Sequence, residues 1–346
     1  MPPSLVPTVE TVLGPVEASA LGMTLTHEHL LLDARPSWHK PEDPKVSELA
    51  HRAVTPELLH VLRQDPYCNL DNCSLNDEQL ACLEAARFAE LGGSTIVDAT
   101  CLGIGRDPLA LQRIARATGL NIIMGTGFYL ERTHPPLVEE ASTEQLRALM
   151  VQDLLEGECG VRAGYIGEIG VSASFTANEE KVLRAAARTQ AETGVALSVH
   201  LPGWERYGHR VLDIIEAEGG QLARVILDHM NPSGFDTSYQ TSLADRGAYL
   251  EYDMIGMDYY FASENAQSPC DTENASAITS LLNLGYAERI LLSHDVFLKM
   301  MLVHHGGNGY GYIPEHFVPR LERLGVTPQI IDMMLVKNPA RVFGGP

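Results

Sequence analysis

Two histidines, His27 and His29, stand two positions apart at the end of an apolar run in GMTLTHEHLLLD, residues 22–33. Further apolar runs, in YIGEIG, ALSVH, VILDH and ILLSHD, also end in side chains that can bind a divalent cation. Those side chains are Glu168, His200, His229 and Asp295. Imidazole nitrogens and carboxylate oxygens are ligands that suit zinc and related ions. Brought together, they could activate water for hydrolysis.

The elements that must position these residues alternate along the chain. Eight apolar runs are predicted to be strands, at Met23–His27, Ser94–Asp98, Asn121–Gly125, Gly164–Ile169, Val195–His200, Arg224–His229, Ala248–Asp253 and Arg289–His294. Helical patterns separate most of them, at Asn76–Leu91, Pro108–Thr118, Thr143–Glu156, Asn178–Thr193, Tyr207–Glu218 and Ala275–Leu284. Eight such rounds predict an α/β fold, a (β/α)8 TIM barrel forming one domain over residues 1–346. The rival is a doubly wound open sheet, but no GxGxxG follows an early strand.

Two segments depart from an ideal barrel. Residues 8–22 are expected to form an N-terminal β-hairpin with its turn at Gly14-Pro15, closing the bottom of the barrel. More than forty residues, Leu30 to about Leu75, form a long loop after strand 1. Loops of this length are usually functional, and βα loops stand at the active-site end of a barrel. Its side chains Trp38, His39, Lys40 and Tyr67 could wall or cap a pocket.

Strand geometry predicts which side chains of the first strand converge. Because side chains alternate along a strand, Met23, Leu25, His27 and His29 should share one face, and Glu28 should point away from any metal. The later candidates all stand at carboxyl ends of strands, which surround one mouth in this fold. Six ligands from five strands would therefore meet in one small volume.

Each candidate also has an ordinary explanation. A lone histidine after a strand is more often a hydrogen-bonded core or loop residue than a ligand, and Glu168 and Asp295 could each cap the following helix. His294 is an alternative to Asp295, which we prefer because Leu291, Ser293 and Asp295 share a face. Their joint placement at five strand ends favours the metal site.

With these motifs the chain resembles the phosphotriesterase-like family of the amidohydrolase superfamily, and most of all the phosphotriesterase-related proteins. The resemblance runs from GMTLTHEHL through IVDAT and GIGRDPLALQRIARATGLNIIMGTGFY to YIGEIG, SVH, LDHM, LLSHD and KNPARVF. It implies a binuclear metal centre with two divalent ions, expected to be zinc, with manganese or another divalent ion as the alternative. In that centre His27, His29 and Asp295 would hold the more buried ion, His200 and His229 the more exposed one, and Glu168 would bridge both.

The family resemblance also implies a reaction. Many relatives bridge the metals with a carboxylated lysine; Glu168 in its place puts this chain in the glutamate-bridged branch and argues against efficient phosphotriester hydrolysis, although weak activity is allowed. A metal-bridging hydroxide would attack an ester, lactone or amide, and Asp295 would carry the proton to the leaving group. One alternative is an amidase of N-acyl amino acids. Another is a non-catalytic binding protein with structural metals, which a ligand set that includes a proton shuttle disfavours.

The substrate is expected to be a small molecule, neutral or weakly anionic. Loop 7, MIGMDYYFASENAQSPCDTEN, has no Arg or Lys, unlike a phosphate clamp. Predicted substrate-binding residues are Phe128, Tyr129, Trp204, Tyr259, Tyr260, Phe297 and Lys299. Arg106 could recognise a carboxylate or tie loops together.

Composition excludes several partners. A formal net charge of -20 argues against nucleic acid or an anionic membrane surface as partner. The six cysteines show no CxxC pair and are expected to be free thiols. Neither a signal peptide nor an apolar run of about 18 residues is evident, so a cytoplasmic location is expected. Relatives suggest a homodimer, which nothing in the chain itself indicates.

Overall fold

Eight parallel strands form one sheet in chain order in the computed structural model, which describes residues 6–345. They are Met23–Glu28, Gly93–Asp98, Asn121–Thr126, Tyr165–Gly170, Leu197–His200, Val225–Leu227, Tyr249–Tyr252 and Ile290–Leu292. The last strand lies beside the first, because the Ser293 hydroxyl accepts from the His27 N–H at 3.0 Å and donates to the His27 carbonyl at 2.8 Å. The sheet thus curls into a barrel, and the predicted (β/α)8 fold is confirmed.

Helices cover the outside of the barrel. The α-helices are Pro44–Ser47, Leu59–Leu62, Glu78–Glu90, Pro108–Thr118, Pro136–Glu140, Thr143–Leu155, Ala177–Thr193, Gly208–Ala217, Thr237–Asp245, Asp271–Asn283, Val318–Arg323, Pro328–Asp332 and Asn338–Phe343, with π-helical turns at Ile313–Phe317 and Met333–Lys337. The predicted start at Ala275 was four residues late, because the first turn is polar and is capped where the Cys270 N–H donates to Glu273 at 2.9 Å. None of the helices within residues 6–345 is long and apolar enough to cross a membrane.

The N-terminal hairpin pairs Thr8–Thr11 with Gly14–Glu17, and its turn needs correction. Thr11 pairs with Gly14, so the turn is at Val12 and Leu13 rather than at Gly14-Pro15. The Thr11 hydroxyl closes this turn, donating to the Gly14 carbonyl at 2.6 Å and accepting from the Leu13 N–H at 3.2 Å. The Thr11 side chain therefore stabilises the turn, whereas the prediction had placed the turn at the Gly-Pro pair.

A small apolar cluster fills the barrel at the end away from the candidate site. Val9 of the hairpin and Phe343 of the last helix close it from below, and the Phe343 ring packs edge-on against Tyr165 at 5.5 Å. Its buried members are Val9, Ala18, Leu21, Val97, Ile123, Tyr165, Ala196, Ile226, Tyr249, Leu291, Val342 and Phe343. Because this cluster closes one end of the barrel, the open end is the one formed by the carboxyl ends of the strands.

The long segment after the first strand is ordered. Its base is closed by an antiparallel pair, Leu32–Asp33 with Ser74–Leu75. Within it, the buried Asn69 amide donates to the carbonyls of Leu49 and Arg52 at 2.7 and 2.9 Å. These contacts fold the segment on itself, and Asn72 ties it to the chain after the eighth strand by accepting from the Met300 N–H at 2.9 Å and the Lys299 N–H at 3.1 Å.

Candidate metal centre and cavity

The six predicted ligands lie together at the carboxyl end of the barrel. Glu168 stands between them, with its carboxylate oxygens 3.7 Å from His27 Nε2, 3.4 Å from His29 Nε2 and 3.3 Å from His200 Nδ1. On the far side of His29, Nε2 lies 3.3 Å from Asp295 Oδ1. His229 Nε2 lies 2.7 Å from His200 Nδ1. Side chains from five strand ends thus converge, as the sequence predicted.

The route by which His27 and His29 converge differs from the prediction. A register shift between Leu25 and Glu28 interrupts the pairing of the first two barrel strands. Leu25 packs in the outer core, whereas the Thr26 hydroxyl hydrogen-bonds to Glu251 inside the barrel. The predicted common face for Leu25 and His27 is therefore wrong, because a bulge breaks the two-residue period.

Glu28 and His294 form a support beside the ligands rather than part of them. Glu28 is fully buried and accepts hydrogen bonds from His294 Nδ1 at 2.7 Å, from the His294 N–H at 2.9 Å and from the Val296 N–H at 2.9 Å. The other ring nitrogen of His294 accepts from the Ile313 N–H at 3.0 Å. Both nitrogens of His294 are thus occupied, which leaves Asp295 to face the centre.

Neighbouring side chains orient two of the imidazoles. His29 Nδ1 lies 2.9 Å from the Thr100 hydroxyl, and His229 Nδ1 lies 3.0 Å from Asp253 Oδ1. Each contact leaves Nε2 directed at the cluster, the arrangement that metal-binding histidines commonly use. Neither Thr100 nor Asp253 was predicted from the sequence.

The backbone is strained at two of these residues. His229 and Asp295 have φ angles of +58° and +51°, in the left-handed region that non-glycine residues rarely adopt. The conformation at His229 is held because its N–H donates to the Asp253 carboxylate at 3.0 and 3.1 Å, and that at Asp295 because its N–H donates to the His27 carbonyl at 3.1 Å. Strain of this kind concentrates at functional sites.

The donor atoms fit a metal cation. Of four groups of donor atoms in the described chain that each lie within 4.8 Å of one another, three consist only of predicted ligands. They are His27 with His29 and Glu168, Glu168 with His200 and His229, and His27 with His229 and Asp295. His27 Nε2 and Glu168 Oε2 are buried with no hydrogen-bond partner among the described residues. Since buried polar atoms are rarely left unpaired, these two atoms are suited to bind a cation.

The electrostatics of the cluster also favour a cation. Burial opposes charge on Glu168, but His27 and the nearby imidazoles of His200 and His29 hold its pKa well below the usual range. Burial likewise opposes a charge on His27, yet Glu168 and further carboxylates raise its pKa. A field that attracts protons this strongly attracts a divalent ion in the same place.

Two buried acids below the centre were missed. Asp228 accepts from the Ser198 hydroxyl at 2.7 and 2.8 Å, and burial raises its pKa to about 7. Burial, and then the nearby Asp228 and Asp253, raise the pKa of Glu251 well above its usual value. Acidic residues inside apolar strand sequences, as in LDHM and YLEYD, were a usable signal.

A cavity of about 500 Å³ opens above the centre, a size that suits a small molecule. His29, Glu168, His200, His229 and Asp295 form its floor. Predicted residues Tyr129, Trp204 and Phe297 line it, and the Tyr129 ring packs edge-on against His200 at 4.8 Å. Lining residues that the sequence reasoning did not single out include Arg132, Met254, Met257, Phe261 and Glu264.

Contrary to the prediction, four of the predicted substrate-binding residues, Phe128, Tyr259, Tyr260 and Lys299, lie outside the cavity lining. Phe128 and Tyr259 are 1% and 5% exposed and pack in the hydrophobic core. Lys299 is paired with Asp71 at 2.5 Å, below the long loop. Whether a residue after a strand end lines the cavity depends on the direction of its side chain. The local sequence does not determine that direction.

Other residues singled out in the sequence have structural contacts. Arg106 is buried between Asp153 and Glu158, at 2.5 and 2.9 Å, and so ties loops together. Tyr260 donates to Asn265 at 2.6 Å at the surface. Of the candidates on the long loop, Tyr67 lines the cavity. Trp38, His39 and Lys40 are absent from the lining.

Comparison with known proteins agrees with this architecture. The model of the phosphotriesterase family matches residues 7–343, so the chain belongs to that family. A phosphotriesterase-related protein of Nematostella vectensis is 39% identical over 95% of this chain and 96% of its own length. An N-acetyltaurine hydrolase of Danio rerio is 35% identical over 96% of this chain and 97% of its own.

A solved structure has nearly the same fold. It is described as a resiniferatoxin-binding protein from Rhodobacter sphaeroides, with a TM-score of 0.96 and 50% identity over 97% of this chain and 94% of its own. Relatives named for a reaction are hydrolases, and the chain is a hydrolase of the same family.

Proposed function

We propose that this member of the phosphotriesterase family hydrolyses the amide bond of a small N-acyl compound, with two divalent ions, expected to be zinc, at the candidate metal centre. The residues that would hold the ions are His27, His29, Glu168, His200, His229 and Asp295. The observation that carries the proposal is the unpaired, buried Glu168 carboxylate oxygen within reach of imidazoles on both sides. Bound ions of this kind polarise a carbonyl and make water nucleophilic at neutral pH.

Asp295 would move the proton in this reaction. Burial works against its ionisation, but the hydrogen bond from His29 and the charges of nearby imidazoles hold its pKa below the usual carboxyl value. It is therefore a carboxylate at neutral pH and can accept a proton from water. The amine leaves only when protonated, so Asp295 would pass that proton to the departing nitrogen.

Tyr129 can orient the substrate from the cavity wall. Burial and then the charge of Glu168 raise its pKa well above the usual phenol value, so the hydroxyl stays protonated. That hydroxyl makes no hydrogen bond to another described residue, and it is free to donate to a substrate oxygen. Gly170 allows this placement, because a Cβ there would lie 2.2 Å from the Tyr129 carbonyl carbon.

Support for an amide substrate comes from the N-acetyltaurine hydrolase of Danio rerio, which matches this chain over 97% of its own length. Esters and lactones react through the same kind of tetrahedral intermediate, so they belong in the test. The test is a rate screen of the purified protein against N-acyl amino acids, N-acyl aminosulfonates, lactones, aryl esters and phosphotriesters. N-acyl compounds should react fastest, and flat rates on every class would overturn the proposal.

Metal content is measured separately by elemental analysis. The protein should carry about two equivalents, and His200→Asn should lower that number. His209→Asn is the matched control, since His209 lies on an outer helix 2.8 Å from the Ser242 hydroxyl. A fully active preparation with almost no metal would refute the metal assignment.

A second candidate is binding of an apolar small molecule without turnover at this cavity. It draws support from the Rhodobacter sphaeroides protein named for binding resiniferatoxin and from the contiguous aromatic rings of Tyr67, Phe261 and Trp204. Saturable binding of an apolar ligand together with flat rates in the screen would favour this candidate.

A further inference from the structure

We propose that Arg132 binds an anionic group of the substrate, a carboxylate or a sulfonate, an inference that rests on the proposed hydrolysis of an N-acyl compound. Among the described residues that line the cavity, Arg132 alone carries a permanent positive charge. It follows Tyr129 by three residues, and Tyr129 contacts His200 of the metal centre. The guanidinium therefore lies on the same wall of the cavity as a candidate ligand.

The guanidinium of Arg132 has free donors. Its Nε donates to the Ser37 hydroxyl at 3.2 Å, which links the loop after the third strand to the long loop. Within residues 6–345, its two terminal nitrogens make no hydrogen bond and no ion pair. A planar fork with unused N–H groups matches the two oxygens of a carboxylate or of a sulfonate.

Other cations near the mouth are already neutralised. Arg106 is held by Asp153 and Glu158, and Lys299 by Asp71. Arg35 forms a two-point ion pair with Asp33, at 2.7 and 2.6 Å. Arg132 differs from all of them, because no carboxylate lies within 4 Å of its nitrogens in the described chain.

The turn that carries Arg132 is rigid. Glu131, Arg132 and Thr133 form a 3-10 turn in which the Thr133 hydroxyl donates to the Leu130 carbonyl at 2.8 Å. The Glu131 carboxylate accepts from the Asn178 amide at 2.6 Å. A fixed backbone lowers the entropy lost when the side chain holds a ligand.

Aromatic rings line another part of the cavity. Phe261 and Phe297 follow the seventh and eighth strands, on the other side of the barrel from the loop that carries Arg132. Tyr67 joins them, with its ring 6.0 Å from Phe261 and 6.2 Å from Phe297. A substrate with its anionic end on Arg132 would place its acyl end over the metal centre or toward these rings.

Acidic side chains on the rim of the cavity make the Arg132 guanidinium more important for binding an anionic substrate. Glu205 and Glu264 line the cavity and form no ion pair within 4 Å in the described residues, although burial raises the pKa of Glu264 and the charge of Arg132 opposes that rise. An anion entering between them is repelled unless a cation compensates. Loss of Arg132 should therefore weaken binding of anionic substrates without altering a neutral one.

The test compares three acetamides of similar length with the metal-loaded protein. N-acetyltaurine carries a sulfonate, N-acetyl-β-alanine a carboxylate, and N-propylacetamide no charge. Arg132→Gln should raise KM for the two anions by about 10- to 100-fold, as expected for lost charge-assisted hydrogen bonds, and change kcat by less than about threefold. Comparison of KM for N-acetyltaurine with KM for N-acetyl-β-alanine identifies whether the site prefers a sulfonate or a carboxylate. KM for the neutral amide should not move.

Two further variants sharpen this test. Arg132→Lys should restore part of the affinity, because it keeps the charge and loses the fork. Arg116→Gln removes one positive charge from an outer helix and should leave all three KM values unchanged. Equal effects of Arg132→Gln on neutral and anionic amides, or no effect on any, would overturn the assignment.

Binding measured without turnover separates this inference from the proposed function. In an Asp295→Asn background, each amide is titrated while the fluorescence of Trp204, a lining residue, is followed. Adding Arg132→Gln should weaken binding of the anions by about tenfold or more. If that happens although no acetamide is hydrolysed by the parent, the Arg132 assignment stands and the amidase proposal fails. If the amides are hydrolysed and Arg132→Gln does not change their affinity, the amidase proposal stands and the Arg132 assignment fails.

Discussion

Replacing Glu28 by glutamine should destabilise the barrel and slow the reaction, although Glu28 is outside the set of proposed metal ligands. Its carboxylate accepts from the backbone N–H groups on both sides of Asp295, those of His294 and Val296, each at 2.9 Å. The Asp295 N–H in turn donates to the His27 carbonyl. Glu28 therefore fixes the backbone that holds Asp295 in its strained conformation.

The size of the expected loss in stability follows from the hydrogen bonds that the two Glu28 oxygens accept. One oxygen of Glu28 accepts from His294 Nδ1 and from the His294 N–H, and the other accepts from the Val296 N–H. Glutamine has a single oxygen, so in either amide orientation a buried donor faces an NH2 group. An unpaired buried group costs about 1–3 kcal/mol, and each remaining bond loses roughly 1 kcal/mol with the charge. We expect a loss of about 3–5 kcal/mol in unfolding free energy.

The assay is urea unfolding at pH 7, followed by circular dichroism, together with kcat on the best substrate from the screen. Glu322→Gln is the control, because Glu322 is exposed on a helix and should change stability by less than about 0.5 kcal/mol. A Glu28→Gln protein as stable as this control, with the parent kcat, would show that Glu28 does not fix the backbone around Asp295.

Three further predictions concern groups that the structure places around the site. Asp295→Asn should lower kcat by about 10²- to 10⁴-fold with metal content retained, and near-normal turnover with metal bound would exclude Asp295 as the proton carrier. Arg106→Gln should cost about 3–5 kcal/mol in urea unfolding, because it leaves Asp153 buried and unpaired. The double change Arg106→Met with Asp153→Leu should recover most of that loss, and no recovery would argue against the ion pair as the cause. Asp71→Asn should be less stable than the parent at pH 7, and the difference should shrink as the pH falls below about 4. Burial raises the pKa of Asp71, but the Lys299 hydrogen bond and the Val54 N–H outweigh it and lower that pKa, so the ion pair stabilises above the unfolded carboxyl value of about 3.9 and is lost as the pH falls. A stability difference that stays constant from pH 7 to pH 2 would contradict this reading.

The barrel and the convergence of the candidate ligands were predictable because both depend on local patterns. Apolar runs alternating with helical periods determine the strand order, and each strand ends within two residues of its predicted position. In a parallel barrel all carboxyl ends share one mouth, so residue type at a strand end is enough to bring His27, Glu168 and Asp295 together. The helix after the last strand escaped prediction because Pro314 and Pro319 interrupt its pattern.

Only the tertiary structure decided how the ligands are aimed and what surrounds them. The bulge at Thr26 depends on pairing with a neighbouring strand, and the clamp of Glu28 on Val296 joins residues 268 positions apart. The same holds for the cavity, where Arg132 stays free while Arg106 and Lys299 are neutralised by partners distant in the chain. A short stretch of sequence specifies which groups are present. Which of them are free depends on long-range contacts, because charges and hydrogen bonds are satisfied by whatever the fold brings within about 3 Å.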